Sequence, residues 1–170
     1  LRPVDDVDGP SALSVPRLLA LEQLDIDYVG GYPGGEYWLW DKVRAFHGSI
    51  ARKGGGKSTA AVIQDASAHT IFGHVHRVEL CAKTTSDAAG HSVIFSMTPG
   101  TLARIDGVVP GATRRSNWQQ GLGVVYLTPM GQVQMTTVAI TNGVAVFNGS
   151  MLTGEDRTDE IRTATGYAWY

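Results

Sequence analysis

A single cysteine, Cys81, in 170 residues leaves nothing within the chain for it to pair with. An intrachain disulfide is therefore excluded, and so is a zinc site built on grouped thiolates. Any metal held here must draw on His, Asp, Glu or Asn. Charge is sparse as well, with 18% charged residues and a net charge of −2, which argues against a generally basic coat for nucleic acid. No apolar run approaches the roughly 18 residues of a membrane span, so no membrane association is expected. The opening Leu1-Arg2-Pro3-Val4-Asp5-Asp6 lacks the form of a signal peptide, and the cytoplasm is the expected compartment. An initiating methionine is also missing, which predicts a further N-terminal region, although processing would leave the same start.

What is present suits one domain with a full core. Hydrophobic residues make up 43% of the chain, and 21 glycines predict many turns and a largely β half. The small net charge hides an uneven distribution. Residues 42–115 hold ten of the fourteen Lys and Arg against the acids Asp65, Glu79, Asp87 and Asp106, a balance of +6, and the remainder sums to −8. A basic centre that also carries the histidines is compatible with a phosphate-bearing substrate, and equally with a solvated charged face.

Taken in order, residues 1–13 are acidic and read as a loop. Ser14 and Pro16 predict a helix start, with Leu18, Leu19, Leu21 and Leu24 as an apolar side packed on a sheet. Ile26, Tyr28 and Val29 predict a short strand before the turn Gly30-Gly31-Tyr32-Pro33-Gly34-Gly35. Glu36 to Trp40 and Lys42 to His47 read as strands. Period two sets Val43, Ala45 and His47 on one face of the second, so a histidine ends an apolar row at the strand's carboxyl end. Open α/β sheets place ligands there. A glycine-rich loop from Gly48 to Lys57, a helix from Ser58 to about Ala66 and a strand from His69 to Phe72 complete a βαβ unit. After His76 the pattern becomes turn-separated β, predicted as an antiparallel meander. In it Val133 to Ile140 pairs with Val144 to Phe147 across Asn142-Gly143. Residues 155–170 form a charged tail.

The chemistry-bearing residues centre on Gly73-His74-Val75-His76. Two imidazoles two residues apart fall on one side of an extended backbone. His47 ends the neighbouring strand of the same unit, so three imidazoles gather at one sheet edge, a set suited to Zn, Mn or Fe with carboxylate co-ligands. His69 and His91 read as structural. Ala51-Arg52-Lys53-Gly54-Gly55-Gly56-Lys57-Ser58 satisfies a relaxed P-loop pattern between strand and helix, with Ala in place of the first glycine. No later apolar run supplies an Asp for Mg²⁺, and a flexible or substrate-contacting loop is the simpler expectation.

Phe46-His47-Gly48, then Gly56 and Ser58-Thr59-Ala60, then Thr70-Ile71-Phe72-Gly73-His74-Val75-His76-Arg77 resemble the last two metal-binding blocks of calcineurin-like metallophosphoesterases. Tyr28-Val29 with Tyr32-Pro33, and Asn117-Trp118-Gln119-Gln120-Gly121, resemble phage-encoded members. The similarity covers residues 14–150 approximately. The resemblance implies an α/β fold, the C-terminal part of a four-layer α/β/β/α sandwich in which a βαβ unit is followed by an antiparallel β meander. It implies two divalent metal ions, Mn, Fe or Zn with Mn favoured, with His47 and His74 on one and His76 on the other. Such a pair clamps a phosphate and activates a bridging hydroxide. Arg77, Arg52, Lys53 and Lys57 are candidates to offset phosphate charge by type and position. A phage origin would make the compartment the cytoplasm of a bacterial host.

Members of that family also carry D-x-H, G-D-x-x-D and G-N-H-D/E blocks ahead of the His47 block, and these 170 residues contain none of them. The expectation is therefore that residues 1–154 are the C-terminal portion of a metallophosphoesterase domain, with metal binding reduced or absent in isolation and no catalytic residue assignable. The intact protein would act on a phosphate ester, with nucleic acid and nucleotides as candidates. Its missing half, or a second copy, would meet an exposed sheet edge. The alternatives are a non-catalytic binding or assembly module and, third, a P-loop-like nucleotide binder.

Overall fold

Period-two alternation cut by glycine turns builds two β-sheets, and the one long amphipathic stretch folds as a helix of nine residues against the first. The structure is a computed structural model and describes residues 14–88, 90–105 and 117–154. Its elements are α1 (Val15–Leu18), β1 (Glu36–Leu39), β2 (Val43–Phe46), α2 (Lys57–Asp65), β3 (His69–Phe72), β4 (Val78–Asp87), β5 (Gly90–Pro99), β6 (Gln120–Leu127), β7 (Val133–Thr141), β8 (Val144–Phe147) and β9 (Ser150–Thr153). The class is mixed α/β, mostly strands, as expected.

The first sheet runs in the order β1-β2-β3-β5-β4. β2 and β3 are parallel, paired from Val43↔His69 to Phe46↔Phe72, so the expected βαβ unit is present. β5 is parallel to β3, while β1 and β4 are antiparallel to β2 and β5. The second sheet, β6-β7-β8-β9, is an antiparallel meander. The β4–β5 hairpin, expected in the meander, belongs instead to the first sheet. Thr70 and Ile71 pair with Ser96 and Met97, a long-range ladder that local alternation does not encode.

β5 shows how the layers join. Ile94, Ser96 and Thr98 are buried on the face toward α2, and Phe95 and Met97 point the other way into the inter-sheet core. That core gathers Val43, Met97, Val133 and Met135, with Leu39, Ile71, Phe95, Val125 and Leu127 packed around it. Asn142 and Gly143 both have positive φ, 52° and 75°, the signature of the expected type I′ turn. Asn148 and Gly149, at 50° and 77°, repeat it between β8 and β9, a hairpin the same Asn-Gly signal could have predicted.

The N-terminal expectations need correction. The helix after Ser14 lasts four residues, and Leu18, Leu19 and Leu24 are exposed rather than packed on a sheet. Ala20 takes φ 52° and breaks the turn, and Ser14 makes no side-chain cap. Ile26, Tyr28 and Val29 are exposed and unpaired, because no described strand lies alongside to complete a ladder. The expected loop at residues 1–13 and charged tail at 155–170 lie outside the described residues. Among those described, no helix is long and apolar enough to cross a membrane.

Gly121 sits where the two sheets meet. A Cβ there would lie 2.7 Å from the Pro99 carbonyl oxygen and 2.9 Å from that of Val138, backbone atoms that cannot swing away. Gly121→Ala is expected to destabilise by about 3 kcal/mol through overpacking. Gly55→Ala, with nothing within 4 Å of its Cβ, should stay within about 0.5 kcal/mol of the parent. Urea midpoints of the two variants check the contrast.

Candidate metal centre

Parallel pairing of β2 and β3 brings two strand ends out side by side, and each end releases a histidine. Immediately after Phe46 the chain passes His47 and turns at Gly48, whose φ is +83°. A Cβ on Gly48 would press to 3.1 Å from the Phe72 ring, so glycine lets the chain cross the neighbouring strand. Gly73 then ties the two ends together. Its N–H donates to the carbonyl of His47 at 2.9 Å and to that of Phe46 at 3.3 Å.

The turn after Gly73 is strained. Val75 N–H donates to the Gly73 carbonyl at 2.7 Å, closing a three-residue turn with His74 at its centre at φ 65°. His76 also has positive φ, 53°. Non-glycine residues in this region cost on the order of 1–3 kcal/mol each, and such strain clusters where a side chain must be aimed. Val75, between them, is buried and anchors the turn.

The rings of His47 and His74 meet edge to face with centroids 5.4 Å apart, and both residues are exposed. Two imidazoles sharing one tetrahedral ion, with metal–nitrogen bonds of about 2.1 Å, would have centroids roughly 5 Å apart. The spacing of this pair is thus compatible with a common ion. Tyr32 also packs its ring edge-on against His47, at 5.4 Å. His76 is placed differently. It is half-buried, its ring lies 4.4 Å from that of Trp118, and its Nδ1 is buried without a hydrogen-bond partner. Among the described residues, no three His, Cys, Asp or Glu side chains converge tightly enough to hold a metal ion between them. Among the described residues the structure therefore brings together two imidazoles, those of His47 and His74, and leaves His76 apart from them.

A buried polar network fixes the strand leaving His76. Arg77 donates to Glu79 at 2.7 Å, to the Ser58 hydroxyl at 2.7 Å and to the Arg52 carbonyl at 2.9 Å. The backbone N–H of Thr59, in the first turn of α2, donates to Glu79 at 3.0 Å, and the Thr59 hydroxyl does so at 3.2 Å. Burial alone would raise the Glu79 pKa, but the Thr59 N–H and the Arg77 guanidinium outweigh it and hold the carboxyl below its ordinary value. Arg77 therefore has its charge matched by Glu79 inside the protein. Through its bond to Arg52 it also secures the basic loop next to the histidine turn. Arg52, Lys53 and Lys57 are exposed on that loop and at the start of α2. Ser58, which would have to meet Mg²⁺ in a P-loop, is fully buried with its hydroxyl engaged by Arg77 and by the Arg52 N–H at 3.0 Å. That engagement speaks against the P-loop reading.

The remaining histidines are structural in placement. His69 stacks on Phe95 and accepts its N–H at Nδ1, and burial together with the nearby Lys42 lowers its pKa. His91 bonds Ser86 at the exposed end of the β4–β5 hairpin. A cleft of about 490 Å³ begins beside His47 at Pro33 and Gly48 and runs along Phe46, Arg44 and Val62, with none of the three site histidines on its wall. Tyr32 and Trp118 are the neighbours that reading for titratable groups passed over. Their signal was an aromatic residue inside a glycine-rich turn for Tyr32 and beside Asn117 and Gln119 for Trp118.

No family model matches the chain, and neither does any curated protein or solved structure.

Removing Arg77 leaves a carboxylate whose side chain is 1% exposed without its cation. Arg77→Ala should therefore cost about 3 kcal/mol, read as a lower urea midpoint. The Glu79 carboxyl also links stability to pH. Its folded pKa lies below the ordinary 4.5, so on acidification the unfolded chain takes up the proton first and stability falls as pH drops below that value. Glu79→Gln should flatten this part of the profile, measured as the urea midpoint between neutral and acid pH.

Proposed function

We propose that this chain is the C-terminal portion of a metal-dependent phosphoesterase of the calcineurin-like type, with a phosphodiester as substrate. The observation that carries the reading is the His47–His74 ring pair, 5.4 Å apart at the ends of parallel strands and aimed by a strained turn. In this reading His47 and His74 bind one divalent ion, Mn²⁺ favoured, and His76, with its unpartnered Nδ1, belongs to the second. The carboxylate donors come from a segment preceding Leu1. Two packed sheets with helix α2 outside the first support this reading; in it they would be three layers of an α/β/β/α sandwich whose remaining layer and strands come from the same upstream segment. The phage-type resemblance of Tyr32-Pro33 and Asn117-Trp118 supports a bacterial cytoplasm as the place of action.

A second reading, a non-catalytic assembly module, is favoured by the β8–β9 hairpin. β9 is exposed along its whole length, with Met151 at 71% and Leu152 at 53%, and it ends its sheet among the described strands. Such an edge can add a strand from a partner or a second copy.

Hydrolysis of bis-p-nitrophenyl phosphate with Mn²⁺, measured with and without the upstream coding region, separates the two. The phosphoesterase reading expects activity from the longer chain, a loss of at least about 100-fold in His74→Ala, and reduced bound metal by elemental analysis. An inert longer chain whose metal content is unchanged by His74→Ala would rule it out, and a defined dimer or complex by solution mass would then favour assembly.

A further inference from the structure

Two of the three histidines each carry an aromatic neighbour that the metal chemistry does not require. Tyr32, 64% exposed, stands edge-on to His47. Trp118 stands edge-on to His76 at 4.4 Å. These rings come from segments far apart in the chain, one ahead of β1 and the other ahead of β6, and reach the histidines by different routes. Tyr32 sits in a turn closed by the N–H groups of Gly34 and Gly35 on the Gly31 carbonyl. Trp118 is held by its neighbour Gln119, whose N–H donates to the His76 carbonyl at 3.0 Å and whose side-chain oxygen accepts from Val78 N–H at 3.2 Å. Gln119 thus pins the Trp118 segment to the two ends of the step that carries Arg77.

Next to the histidine turn lies the exposed basic loop of Arg52, Lys53 and Lys57, fastened by the bond from Arg77 to the Arg52 carbonyl. The composition is that of a single-strand binding surface, with aromatic faces for bases and cations for the backbone. A duplex keeps its bases stacked internally and offers such rings no face, whereas an unpaired strand does.

We infer that the site takes single-stranded nucleic acid, with Tyr32 and Trp118 stacking the unpaired bases on either side of the phosphate that faces the histidines, and Arg52, Lys53 and Lys57 following the backbone. This deepens the phosphoesterase reading and rests on it for what happens to that phosphate. The binding itself depends only on rings and cations and is measurable without turnover.

The test is fluorescence anisotropy of a 5′-labelled twelve-residue oligothymidylate in EDTA. A strand of equal length and charge built from abasic sites serves as control. Stacking predicts that the abasic strand binds more weakly by at least about fivefold, and that Tyr32→Leu and Trp118→Leu each weaken oligothymidylate by a similar factor without affecting the abasic strand. Tyr32→Phe should retain binding, which guards against loss of fold as the cause, with circular dichroism as a second check. Equal affinity for the two strands, or leucine variants indistinguishable from the parent, overturns the inference. Stacking-dependent binding by a longer chain that is inert in Mn²⁺ and whose metal content His74→Ala leaves unchanged supports the inference and overturns the phosphoesterase reading alone.

Discussion

The parallel pairing of β2 with β3 is the constraint on which the site depends. Four residues of register, from Val43 opposite His69 to Phe46 opposite Phe72, decide that the two strands end at one level. Because parallel strands run the same way, both ends release their chains on the same side of the sheet. The Gly73 N–H, shared between the Phe46 and His47 carbonyls, then closes the gap between the two strand ends. A one-residue slip would move every side chain of β2 to the opposite face and separate the rings of His47 and His74. Helix α2 makes this pairing possible, since a parallel connection needs a crossover long enough to return the chain to its starting end.

The Arg77–Glu79 pair does for the polar half of the molecule what Met97 and Val43 do for the apolar half. Placing a carboxylate under the helix costs solvation, and several donors offset it: the Thr59 N–H, the Thr59 hydroxyl and the Arg77 guanidinium. One network then ties the first turn of α2, the basic loop and the strand leaving His76. The histidine turn can be held at positive φ because Arg77 and Glu79, the residues just beyond it, are locked in this way. Strain on one side and a satisfied buried network on the other are parts of one arrangement.

Much of this was legible in local pattern. The βαβ unit, the type I′ turn at Asn142-Gly143 and the gathering of His47 with His74 all follow from period, turn chemistry and strand order. Other features were not. The leucines after Ser14 have helical spacing, yet a helical face needs a surface to cover, and the described fold offers them none. Period two sets Glu79 on the face opposite Val78, Leu80 and Ala82, yet it is buried at 5% exposure, because a cation two residues away and a helix terminus 20 residues away meet it there. β5 reads as part of a meander and joins the first sheet instead, because alternation carries no information about which strand it will pair with.

For Gly73-His74-Val75-His76, the sequence alone determined the residue types, their spacing and the turn that delivers them, since these depend on contacts within a few residues. Only the tertiary structure decided that His47 and His74 share a position while His76 faces Trp118. It alone matched the charge of Arg77 with Glu79 and set Tyr32 against His47. Those outcomes depend on strand register and on side chains distant in the chain, where burial and the need to satisfy every buried polar group override local preference.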